Sequence, residues 1–194
     1  MTIEINRRVA HVAIAVAVVA GLLWVGWKHF SPGREIIGEE RLTALDPANA
    51  GINIRVTKPW FTDSVCVFDA RTPGERDYDR FDLTRCLLQC AQDMQQDEVA
   101  RVYLACDGRR VYFIKGSDFK KLGIDYKRGS TWNNTVLAAR IPTVTYTLND
   151  SLAFPARDGL LQPLDNASDW NTMMSTLMAH DSPSLIGALV RFIF

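Results

Sequence analysis

The sequence predicts an α+β domain, one largely antiparallel sheet with two main helices packed on it, carried behind an N-terminal transmembrane helix. Three observations predict it. An unbroken apolar run fills Val9 to Trp27, and stretches that alternate apolar and polar residues recur through the rest of the chain. Two amphipathic stripes at three-and-four spacing lie near Leu83 to Met94 and Trp170 to Met178.

The apolar run comes first. It carries one weakly polar side chain, His11, close to its start. About nineteen residues at ~1.5 Å each give roughly 28 Å, the thickness of a bilayer's hydrocarbon core. No soluble helix needs to be apolar on every face for that length. Trp24 and Trp27 stand at the far end, where indoles favour the headgroup region. Ala15-Val16-Ala17 is similar to a signal cleavage box, yet the run continues well past it, beyond the about 7 to 15 residues of a signal h-region. An uncleaved anchor is therefore expected over residues 9–27. Arg7 and Arg8 precede it and Lys28, Arg34 and Arg41 follow, so positive charge alone does not set the orientation. The tail of residues 1–8 is short, and the following domain holds an even number of cysteines, which suits an oxidising compartment. Both favour a cytoplasmic N-terminus and a domain outside the inner membrane, in the periplasm of a bacterium.

Residues 28–50 hold Pro32, Gly33 and Pro47 and read as a juxtamembrane linker with a short helix near Ile36 to Leu45; residues 51–194 read as the extracytoplasmic domain. Ile52 to Val56 and Ser64 to Asp69 alternate as strands, the second with Val65 and Val67 on one face and Cys66 and Phe68 on the other. The charged stretch Arg71 to Arg80, with Pro73-Gly74, is a loop. Asp82 reads as the N-cap of a helix from about Leu83 to Gln95. Val99 to Ala105 and Arg109 to Ile114 flank Cys106-Asp107-Gly108, and Asp-Gly suits a tight hairpin turn because both positions accept positive φ. Ser117 to Gly123 reads as a short helix stopped by its glycine. Val136 to Ile141 and Thr143 to Leu148 read as strands interrupted by Pro142, and Ser168 as the cap of the last helix.

Composition excludes one class of partner. Lys plus Arg and Asp plus Glu both number 22, so the chain lacks the basic excess of a nucleic-acid binder. Cys86 and Cys90 lie four apart on one helical face, which is neither a Cys-x-x-Cys redox pair nor half of a zinc ribbon. Structural disulfides are expected instead. Folding the helix and hairpin strand back from Gln96 to Glu98 brings Cys86 toward Cys106 and leaves Cys66 with Cys90. No Gly-x-Ser-x-Gly, His-Glu-x-x-His or phosphate-cradling glycine loop occurs, and no metal or cofactor is called for. Arginines 71, 76 and 80 interleave Glu75, Asp77, Asp79 and Asp82, which opposes a calcium loop.

Partner binding is the function this pattern favours. Trp170, Met173, Met174 and Leu177 give the last helix a methionine-rich face of a kind that adapts to other proteins. Phe192 and Phe194 end an apolar tail that needs a sheet edge or a partner to cover it. The expected role is a non-enzymatic domain that binds another envelope protein, as part of an envelope complex or as an immunity protein against an envelope-acting toxin. Two alternatives are a hydrolase of cell wall or lipid using Asp63, Asp69 or His180, and a thiol redox protein using Cys86 and Cys90.

Overall fold

In the computed structural model, six strands form one mixed sheet whose order follows the chain. They are β1 (Arg34–Ile37), β2 (Ile54–Lys58), β3 (Val65–Ala70), β4 (Arg101–Cys106), β5 (Arg109–Lys115) and β6 (Thr145–Thr147). Five helices accompany them among the described residues: α1 (Glu39–Leu45), α2 (Arg80–Asp93), α3 (Gly116–Arg128), α4 (Trp132–Arg140) and α5 (Gln162–Leu177). The structure describes residue 16 and residues 33–60, 62–74, 76–128, 132–154 and 162–179. The chain divides into two units, Met1–Gly33 and Arg34–Phe194, and every element above belongs to the second. The apolar run from Val9 to Trp27 lies outside the described residues except for Val16, which is helical. Among the described residues no helix is long and apolar enough to cross a membrane.

Four of the five strand pairs are antiparallel; β3 and β4 are parallel, with Val65 beside Arg101 and Ala70 beside Cys106. A parallel pair needs a crossover, and α2 supplies it. The helix starts one turn earlier than the sequence suggests, because its N-cap is Asp79 rather than Asp82. The Asp79 carboxylate accepts from the Phe81 and Asp82 amides, while Asp82 returns a bond to the Asp79 amide in a reciprocal capping box. An acidic residue at either position fits a helix start, so only the reciprocal geometry separates them. The stripe Leu83, Cys86, Leu87, Cys90, Ala91 and Met94 is buried as its spacing requires. At the hairpin, Asp107 (φ 48°) and Gly108 (φ 78°) both take the left-handed conformation that the turn demands.

Other elements depart from the sequence reading. Arg34–Ile37, expected in a linker, pairs with β2 as an edge strand and sends Ile37 into the core. Val136 to Ile141 is not a strand; most of it lies in α4, and the buried set Leu137, Ala138 and Ile141 follows helical spacing. A short apolar run fits either period, and burial on one side decides it. Helix α5 begins at Gln162, which leaves Ser168 inside it rather than at its cap. Gly123 does not end α3. It is buried against α2, where a Cβ would collide with the Ala91 carbonyl, so its lack of a side chain sets the distance between the two helices.

All the helices pack on one face of the sheet. Ile54, Val56, Cys66, Phe68, Val102, Leu104 and Ile114 share a single core with Leu83, Leu87, Leu122, Ile141, Met173, Met174 and Leu177. The opposite face carries a row across four strands, Val67, Tyr103, Phe113 and Tyr146. The Phe113 ring lies 5.9 Å from Tyr103 and 5.3 Å from Tyr146. Cations cover this row: Arg101 lies 4.7 Å over Phe113, Arg110 4.5 Å over Tyr103 and Lys115 4.3 Å over Tyr146.

The Gly123 contact yields a test. Gly123→Ala is expected to push α2 and α3 apart and to lower stability by about 1–3 kcal/mol, as overpacking does. Gly74→Ala, whose Cβ would meet only Asn53 at an ordinary 3.8 Å, serves as the near-neutral control. Denaturant midpoints of the two variants measure the difference, and equal midpoints would refute the close-packing account.

Candidate functional site

Away from the sheet, α2, α3, α4 and α5 border an open cleft of about 530 Å³. Its lining comes from Phe81, Thr84, Arg85 and Leu88 of α2, Tyr126 of α3, Val136, Ala138 and Ala139 of α4, and Ala167, Trp170 and Asn171 of α5. The space exists because alanines stand where larger residues would fill it. Trp170 is held in place as part of the wall. Its indole N–H donates to Thr84 Oγ1 at 3.0 Å, and its ring lies 5.1 Å from that of Phe81. Arg80 fastens α2 to α5 by donating to Asn171 Oδ1 at 2.6 Å. Phe81 and Val136 are each 68% exposed at the rim, so apolar surface extends from the cleft into solvent.

Arg85 is the charged residue of the lining, and its charge is spent within the fold. The guanidinium donates to Asp82 Oδ1 at 2.6 Å and to Asn49 Oδ1 at 3.0 Å. Asn49 is fully buried and donates to the Leu42 carbonyl and to Gln89 Oε1, while Gln89 donates to Asp46. This network ties the segment after α1 to α2, and it leaves the cleft lined mainly by carbon. Such a surface suits the burial of apolar groups, and among the described residues its polar side chains are Thr84, Arg85, Tyr126 and Asn171.

The residues singled out in the sequence have varied fates. Trp170 lines the cleft, but Met173, Met174 and Leu177 are buried in the core, so that stripe faces the sheet rather than a partner. Phe192, Phe194 and His180 lie outside the described residues. Asp63 and Asp69 are not brought together: they lie at opposite ends of β3, about 20 Å apart at the rise of a strand. Asp69 instead accepts from Gly108 N–H at 2.8 Å and Arg71 Nε at 3.0 Å, which holds the hairpin turn in place. Phe81 escaped the sequence reading because it falls off the apolar stripe of α2. That misplacement was the available signal, since an aromatic off the apolar stripe of a helix lies outside the core that the stripe forms.

The expected disulfides are absent. No bond joins Cys86 to Cys106 or Cys66 to Cys90, and all four cysteines are buried thiols. Cys86 is turned toward the segment after α1, where Sγ donates to Asn49 Oδ1 at 3.4 Å; Cys106 Sγ donates to the Ala179 carbonyl at 3.3 Å. The fold-back estimate set the heights of these residues along their elements but not the directions of their side chains. The even cysteine count thus carries no information about compartment. Burial pushes the Cys66 thiol up to about 11 and Cys86 up to about 12, and raises Cys90 well above its ordinary value. The thiolate is the reactive species, so these shifts oppose a redox role for Cys86 and Cys90.

Two measurements check the thiols. A thiol reagent at mildly alkaline pH should leave Cys66, Cys86 and Cys90 unlabelled until denaturant is added. Because their native values are raised, the folded state retains protons that the unfolded state releases. The resulting stability is fully present below the unfolded value of 9.0 and falls as pH climbs toward about 11 to 12. Rapid native labelling, or stability flat across that window, would contradict the burial. No protein-family model, curated protein or solved structure matches the chain.

Proposed function

We propose that the chain is a membrane-tethered, non-enzymatic binding domain whose helical cleft takes an apolar anchor side chain from another envelope protein. The observation that carries this reading is the cleft itself. Its walls are apolar, its floor is a fixed Trp170, and Phe81 and Val136 continue the apolar surface outside it. A pocket that served only a small ligand has no need of that exposed rim, whereas an interface joins a central pocket to surrounding apolar contacts. The apolar segment Val9 to Trp27 supports the tether, which raises the effective concentration of the domain near its partner. An envelope assembly and an immunity protein against an envelope-acting toxin both fit this chemistry.

Phe81 provides the test. Tagged full-length protein, purified from its host in mild detergent, is expected to carry one partner in stoichiometric amount. Phe81→Asp should reduce its recovery ~tenfold or more, as loss of an interface hot spot does. The variant should still fold, because the ring is exposed and an acidic residue suits the first turn of α2. Leu148→Asp, an exposed substitution elsewhere, should retain the partner. A protein that purifies alone, or a partner kept by Phe81→Asp, overturns the reading.

A further inference from the structure

We propose that Trp60, just beyond β2, is an interfacial foot that rests in the headgroup region of the membrane to which the chain is anchored. The inference rests on the anchor reading of Val9 to Trp27 and is independent of the cleft. Trp60 is 69% exposed, although nothing in the fold requires an indole in solvent. It is presented on a fixed support. The Thr62 N–H donates to the Pro59 carbonyl at 3.3 Å, and the Thr62 and Ser64 hydroxyls bond at 2.8 Å.

The register places this residue at a particular end of the sheet. Arg34, the first residue of β1, stands opposite Lys58, the last of β2. Trp60 follows Lys58 by two residues, so it lies roughly 10 Å from the point where the chain enters the domain. Residues 28–33 alone separate that point from Trp27 at the end of the apolar run. Fully extended, they reach at most ~20 Å. A linker this short makes contact with the interface an intramolecular event. Tryptophan is the side chain that most favours this zone, with its ring among the acyl–headgroup boundary and its N–H toward water.

Charge adds to the contact without carrying it. Lys58 is paired with Asp97 at 3.2 Å and Arg101 with Asp150 at 3.1 Å, while Arg34 and Lys115 at the same end of the sheet are exposed. Salt should accordingly weaken the contact only in part.

The experiment uses the full-length chain in vesicles of phosphatidylethanolamine and phosphatidylglycerol, with an environment-sensitive fluorophore on Trp60→Cys or on Arg109→Cys. Arg109 is exposed at the opposite end of the sheet and serves as the aqueous reference. In protein that floats with the vesicles, the label at position 60 should emit to the blue of the label at 109. Lipid-borne quenchers should extinguish it, and high salt should leave most of both effects in place. Water-like emission at 60 in floating protein overturns the foot and leaves the anchor standing. A blue shift without lipid quenching, which marks a protein contact, overturns it as well, as does complete release by salt. Failure to float removes the anchor and the proposal together.

Discussion

The parallel pairing of β3 with β4 is the constraint on which the rest of the domain depends. Once those strands run side by side in the same direction, the chain between them must cross the sheet, and α2 is that crossing. The buried stripe of α2 fixes which side of the sheet becomes the core. The later helices pack on the same side, where Leu122, Ile141, Met173 and Met174 join the core that α2 begins. Close approach of α3 to Ala91, permitted by Gly123, then determines how near the second helix stands. Between them these helices and the two that follow leave the cleft, bordered by the ends of elements that meet but do not close.

Polar groups reinforce this arrangement where apolar packing leaves the register of α2 free. Asn49, fully buried, is held by the Leu42 carbonyl, Gln89 and Arg85, and Asp82 receives both Arg85 and Arg76. A buried amide with all its bonds made adds little net stability, yet leaving those bonds unmade costs about 1–3 kcal/mol for each group. The network therefore selects one placement of α1 and its following turn against α2. It also holds the Cys86 thiol on Asn49, a bond that a pairing argued from chain length alone does not foresee.

Local chemistry was readable in the sequence and relations between distant segments were not. The Asp107-Gly108 turn stood out because few residue pairs accept two positive φ values in succession. The α2 stripe stood out because its period has no strand counterpart. Val136 to Ile141 offered too few residues to separate the two periods, and Gly123 carried the same mark whether it ended a helix or let one pass close to another. The cleft was out of reach for a different reason. Its space is defined by small residues on α4 and α5 opposite larger ones on α2, and none of these announces its neighbour in the linear order. Phe81 and Trp60 left a trace, as large aromatics outside the apolar patterns of their neighbours.

The bare side of the sheet has a further consequence. A row of aromatic rings beside an open face would ordinarily invite other sheets to stack on it. Here Arg101, Arg110 and Lys115 lie across the rings, so an approaching molecule meets guanidinium and ammonium groups before it meets carbon. The rings are hidden without a second layer of protein. To reach them, a newcomer must first dislodge cations that belong to the same strands, one of which, Arg101, is also paired with Asp150. The sheet thus wears a hydrophilic skin made from its own side chains, and crowding need not glue neighbouring copies face to face.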